Sequence, residues 1–173
     1  KNILTNKLDQ LIELQLKSLN NVARQRFEQG IRAYSVERYQ DAFDTFQEGI
    51  LQDRTFFGNQ WGAAIAAEKL HEIEEAVERF DATGSYAKQD NHELASLAFQ
   101  RAAKLSLTNN DFDNALSYIN KAIQTHPNNL DALYEKARLL AILLRYDLAL
   151  EVLYELIKKD RQFISIIQKN SAF

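Results

Sequence analysis

The chain has 173 residues, of which 46% are hydrophobic, and a net charge of −3, enough for one ordered domain or one repeat array. With no cysteine, one proline and five glycines, disulfide and thiolate chemistry are excluded and little is left to build the turns of a β protein. No apolar run approaches the roughly 18 residues of a membrane-spanning helix, and charges of −5 over residues 1–95 and +2 over 96–173 lack the basic excess of a nucleic-acid binder.

Residues 2–20 read as an amphipathic helix, with Leu4, Leu8, Leu11, Ile12, Leu16 and Leu19 at three- and four-residue steps. Leu8 and Ile12 fall 34 residues before Ala42 and Phe46. This segment, 1–22, therefore has the register of the second helix of a preceding repeat and is expected to flank or cap an array. No signal-peptide pattern is visible, and the absence of methionine, even at position 1, reads as a piece of a longer protein.

The same spacing of 34 residues then runs through the chain. It separates Ala42 from Ala76 and Ala115 from Ala149. Three residues before each alanine stands a bulky residue: Tyr39, Ile73, Phe112 and Tyr146. Twelve residues before each stands a small one: Gly30, Ala64, Ala103 and Ala137. Repetition at this period predicts stacked helical hairpins. Four are placed at 23–56, 57–90, 96–129 and 130–163, each with a helix A, a turn and a helix B. In the first, the helices are expected near 23–36 and 40–52. The acidic run Glu72, Glu74, Glu75, Glu78 and Asp81 reads as a solvated helix face.

Residues 91–95 interrupt the period. Asp90, with Glu93 three residues on, reads as a capping box that adds about a turn to the third helix A. Asn109-Asn110-Asp111 marks the turn inside the third hairpin. Pro127 ends the third hairpin, and Asn128 or Asn129 can cap the next helix. Phe163, Ile164, Ile166 and Ile167 start a further short helix. Segment 164–173 is expected to cap the array, because an uncapped repeat exposes half a core.

Two antiparallel helices approach closely only where a side chain is small. The glycine or alanine of each helix A is therefore expected to face the alanine of its helix B, and the bulky residue before that alanine to plug the turn. Phe46, Phe80, Ile119 and Leu153 lie four residues after the helix B alanines. They share that face and are expected to bury against the next helix A, each worth roughly 1.5–3 kcal/mol.

In its period, the small residue at repeat position 8, the alanine at 20 and the large apolar residue at 24, the chain resembles the tetratricopeptide repeat family over roughly 23–163. The usual aromatic at position 4 is kept as Phe99 but replaced by Arg26, Gln60 and Leu133, and the proline at position 32 survives only as Pro127. Related RNA-binding repeats of 35 residues fit the period less well. The resemblance implies an all-α, right-handed superhelical solenoid of antiparallel helix hairpins. It also implies a concave groove into which positions 2, 5, 9 and 12 of helix A point. Position 5 supplies Phe27, Trp61, Gln100 and Tyr134, and position 9 supplies Ile31, Ile65, Lys104 and Arg138. Position 12 adds Tyr34 in the first hairpin and Glu68 in the second. The groove is thus expected to be apolar and aromatic in its N-terminal half and polar and basic in its C-terminal half. An alternative is that Trp61 belongs to the core or that helix 2–20 fills the groove.

The carboxylate clamp of some family members is not matched. Its positions hold Phe27, Ile31 and Gly62, and only Arg101 fits. No chaperone-tail binding is expected. His71, His92 and His126 stand apart at turns or helix starts, and no metal-ligand spacing, phosphate loop or triad pattern occurs. The expectation is a non-catalytic protein-interaction module without cofactor or metal, binding a protein or peptide segment and not inserting in a membrane, in the cytoplasm. The alternatives are a homo-oligomerising structural domain and a regulatory domain of a larger protein.

Overall fold

The computed structural model describes residues 21–159. The expected flanking helix 2–20 and the expected cap 164–173 lie outside the described residues. Among those described are eight helices and no strand. They fall into two compact units that divide between Tyr86 and Ala87. The first unit holds α1 (residues 21–35), α2 (Tyr39–Gln52), α3 (Phe57–Lys69) and α4 (Ile73–Ala87). The second holds α5 (His92–Thr108), α6 (Phe112–Thr125), α7 (Leu130–Ile142) and α8 (Tyr146–Lys159). Odd-numbered helices are A helices and even-numbered ones are B helices.

All four A–B turns have one construction. Each places a single residue in the left-handed region: Glu37 (φ 62°), His71 (63°), Asn110 (58°) and Leu144 (60°). The N–H of that residue donates to the carbonyl three residues back, as from Glu37 to Tyr34 at 3.0 Å. The next N–H reaches five residues back, as from Arg145 to Leu140 at 2.8 Å. This is the Schellman arrangement, which satisfies the last carbonyls of the helix. One residue then follows, the N-cap in α2 (Arg38) and α6 (Asp111), and helix B starts at the next.

In the first unit the core centres on Phe46, which is fully buried. A Cβ at Gly30 on α1 or at Gly62 on α3 would overlap its ring. The small residue of the first helix A thus makes room for the position-24 phenylalanine. Below Phe46, Gly49 leaves space for the buried amide of Asn59, whose Nδ2 donates to the Ala23 carbonyl at 2.9 Å. Gln60 occupies the usual aromatic position 4 and is 2% exposed. Its burial is tolerated because its Nε2 donates to the Arg54 carbonyl (3.2 Å) and its Oε1 accepts from Arg79 (3.4 Å). Arg79 is in turn paired with Glu75 at 2.7 Å, and Gln47 of α2 donates to the same carboxylate at 3.3 Å.

In the second unit, Leu133, Ala137 and Leu140 of α7 form one cluster with Ala149, Leu153 and Leu156 of α8, and Leu116 and Ile123 of α6 pack against it. The position-24 residues are buried in every hairpin, Phe80, Ile119 and Leu153 included. The bulky residue does not plug every turn. Tyr39 packs edge-on to Tyr34 (5.2 Å), but Tyr146 is 56% exposed.

At the start of α5 the structure corrects the capping assignment. Asn91 is the N-cap, its Oδ1 accepting from the Leu94 N–H at 2.9 Å. The Asp90 N–H is engaged with the Ala87 carbonyl of the preceding turn. Glu93 then stands at the second helical position and completes no capping box. The extra turn is present: α5 has 17 residues against 13 in α3 and in α7. Asn129 caps α7 through the Ala132 N–H (3.0 Å). Its Nδ2 also donates to Ser96 Oγ (2.7 Å) and Gln100 Oε1 (2.8 Å) of α5.

Candidate partner-binding faces

In the first unit, Phe27, Ile31 and Tyr34 recur at four and three residues along α1 and so share one face. Phe27 is half-buried. Its ring lies edge-on to Phe56 (5.7 Å) and tilted to Phe46 (6.1 Å), and it touches the start of α3, 3.3 Å from where a Gly58 Cβ would sit. Ile31 is 39% exposed, and Tyr34 is half-buried against Tyr39. On α3, Trp61 is half-buried edge-on to the core residue Phe80 (5.3 Å), and Ile65 is half-buried one turn on. Trp61 therefore divides its surface between core and solvent. The structure brings Phe27 onto α3 and leaves Ile31 the most open of these five side chains.

In the second unit, the cleft beside α5 and α7 encloses about 580 Å³. Gln100, Lys104 and Arg138 line it, together with Leu97, the buried Ile119 and Glu135. Tyr134 is half-buried beside it and carries the Arg138 guanidinium 6.0 Å from its ring centre. Arg138 also pairs with Glu135 at 3.2 Å, while its Nε is buried without a partner. Lys104 is exposed. Gln100 is held by Asn129. A second cleft of about 430 Å³ adjoins the first and shares Leu97, Gln100 and Asp131 with it. Glu93 and His126 line its far end.

Sequence reasoning named neither Leu97, which is 45% exposed, nor Asp131, although both stand at position 2, which the resemblance assigns to the groove. Arg101 and Glu135, at position 6, also line the cleft. They carry no signal in a list of positions 2, 5, 9 and 12. Among the described residues, no group of His, Asp and Glu side chains is placed to hold a metal ion, and no helix is long and apolar enough to cross a membrane.

These helical hairpins define an all-α helical-repeat protein. In agreement with the sequence resemblance, the tetratricopeptide repeat family model matches residues 106–168. The fold is also that of solved tetratricopeptide proteins. A structure of MamA aligns with a TM-score of 0.68 at 14% identity, over 87% of this chain and 85% of that one. The N-terminal domain of stress-induced protein-1 from C. elegans aligns with a TM-score of 0.64 at 15% identity, over 70% and 96%. YrrB, described as a TPR protein with an unusual peptide-binding site, aligns with a TM-score of 0.60 at 16% identity, over 86% and 79%. No curated protein sequence matches the chain.

Proposed function

We propose that this chain is a non-catalytic protein-interaction module that receives a partner segment along the open faces of its A helices. The observation that carries the reading is the cleft of about 580 Å³ beside α5 and α7, with an accessible apolar side chain, Leu97, among charged ones. Accessible apolar anchors ringed by polar groups are what peptide-binding surfaces use. The half-buried aromatic face of α1 and α3 offers a second such surface. The likeness to YrrB, a protein with a peptide-binding site, agrees with this reading.

The test is capture of partners on the immobilised protein, followed by binding of the captured partner's purified segments. Ile31→Asp/Ile65→Asp and Lys104→Glu/Arg138→Glu serve as variants, with circular dichroism showing that each stays helical. Loss of at least tenfold in affinity in one of them is expected. A segment bound equally by wild type and both variants overturns the reading.

A second reading, homo-oligomerisation, is favoured by α8. Leu150 and Tyr154, each 62% exposed, lie one turn apart on it, and Leu148 is 47% exposed. Leu116, one period before Leu150, is instead packed against the α7–α8 core. Light scattering at rising concentration distinguishes the two readings: a constant monomer mass removes the second.

A further inference from the structure

The fourth hairpin departs from the other three at one position of its B helix. Position 25 holds Gln47, Asp81 and Asn120 in α2, α4 and α6, each half-buried, but Tyr154 in α8, where it is 62% exposed. Tyr146, Leu150 and Tyr154 follow one another at four-residue steps, so they form one exposed stripe along α8. At position 21, Phe43 of α2 and Leu116 of α6 pack into cores that include the next A helix. An A helix that follows a B helix thus covers an apolar residue at 21 and a polar one at 25. The tyrosine makes the stripe of α8 wider than a following repeat helix requires.

The charges beside the stripe stand in a self-complementary order. Asp147 lies in the first turn of α8 and Lys158 in the last. Eleven residues are about three turns, so the two share one edge of the helix. Lys158 is held at the stripe, its Nζ 4.4 Å from the centre of the Tyr154 ring. Glu151, one turn after Asp147, adds to the acidic half, and all three charged side chains are exposed.

We propose that the stripe is the interface of a symmetric dimer in which α8 of one copy packs antiparallel on α8 of a second. Leu150 of each copy meets Tyr154 of the other, and Lys158 of each meets Asp147 of the other. This inference rests on the reading of α8 as a self-association surface. One two-fold axis serves both sets of contacts, because the midpoint of 150 and 154 is 152 and that of 147 and 158 is 152.5. Parallel pairing would instead set Asp147 on Asp147 and Lys158 on Lys158 and align the two helix dipoles, and each of these is unfavourable.

The experiment is sedimentation equilibrium of the whole chain over a range of concentrations, with charge variants whose helicity is checked by circular dichroism. Wild type should reach twice the monomer mass. Asp147→Lys and Lys158→Glu should each weaken the dimer about fivefold or more, since symmetry places each change at two contacts. Asp147→Lys/Lys158→Glu together should restore it. The chain has no cysteine of its own, so single cysteines report the register. Under mild oxidation, a mixture of Leu150→Cys and Tyr154→Cys chains should cross-link one to the other in preference to like with like. A dimer without charge rescue, or one that joins like cysteines, overturns the inference and leaves self-association standing. A constant monomer mass overturns both, and slow alkylation of Leu150→Cys in that monomer would assign the stripe to another segment of the same chain.

Discussion

Phe46 shows how one residue type at one place sets the spacing of three helices. Its ring is fully buried and lies where the side chains of Gly30 and Gly62 would be. Replacing either glycine by alanine has two opposed effects. Helix propensity gains up to about 1 kcal/mol, while overpacking costs roughly 1–3 kcal/mol. A ring enclosed on this scale has nowhere to move, so the second effect wins. Gly30→Ala and Gly62→Ala should each lower unfolding free energy in urea by about 1 kcal/mol or more, and a stabilised variant would show that the ring had yielded. The left-handed turn residues give the opposite sign. A β-carbon at positive φ costs roughly 1–2 kcal/mol, so Glu37→Gly and Leu144→Gly should each stabilise the chain by up to about 1 kcal/mol, checked by the same denaturation. Asn110, already suited to the left-handed region, should gain little from the same change. At this scale the sequence was only partly legible. Asn110 announces its turn, but Glu37, His71 and Leu144 are not turn formers, and their conformation is imposed by the backbone bonds of the helix end. Gln60 was equally opaque: a glutamine at an aromatic position predicts exposure, and only the partners supplied by Arg54 and Arg79 explain its burial.

The helices themselves were far more legible. The helix expected near 40–52 is α2, Tyr39–Gln52, and the extra turn of α5 follows from five residues that break the period. Periodicity is a sum over many side chains and survives local exceptions, whereas a cap is decided by one. That is why the N-cap of α5 moved from Asp90 to Asn91, a residue later than the sequence suggested. Asn129 joins elements as well as capping one, since the same amide that starts α7 holds Ser96 and Gln100 of α5. Loss of a cap costs roughly 0.5–2 kcal/mol, and each further bond lost from a partly buried site about 1 kcal/mol. Asn129→Ala should therefore cost about 3 kcal/mol in chemical denaturation, against about 1 kcal/mol for Asn91→Ala, which loses a cap alone. Equal losses would mean that the ties to α5 contribute nothing.

Across the whole molecule, the pattern of small residues was enough to reveal the repeat, while the candidate site was legible only in outline. Gln100, Lys104 and Arg138 do line one cleft. Leu97 and Asp131 were within reach of the same rule, Arg101 was singled out only as a match to the carboxylate clamp, and Glu135 stands at a position that neither rule names. Trp61 was ambiguous in the sequence because the resemblance left it to either core or groove, and its half-burial against Phe80 puts part of it in the core and leaves the rest exposed. The open side of α8 has a separate consequence. Leu150→Asp/Tyr154→Asp changes side chains that are 62% exposed, so stability should alter by no more than about 0.5 kcal/mol. Any concentration-dependent mass seen for wild type by light scattering should disappear in this variant, and persistence of the larger species would place self-association elsewhere.

The four left-handed turn residues also carry a lesson in chirality. At φ near 60° the backbone of Leu144 follows the path that a mirror-image amino acid prefers. Glycine tolerates that path by giving up its side chain, and it adds freedom to the unfolded chain in doing so. A D-leucine introduced at position 144 by chemical ligation would keep the leucine side chain, relieve the conformational cost and leave the unfolded chain no freer than before. Its gain in stability over the natural chain should thus exceed that of glycine, which makes this joint between α7 and α8 a place where handedness alone can be measured.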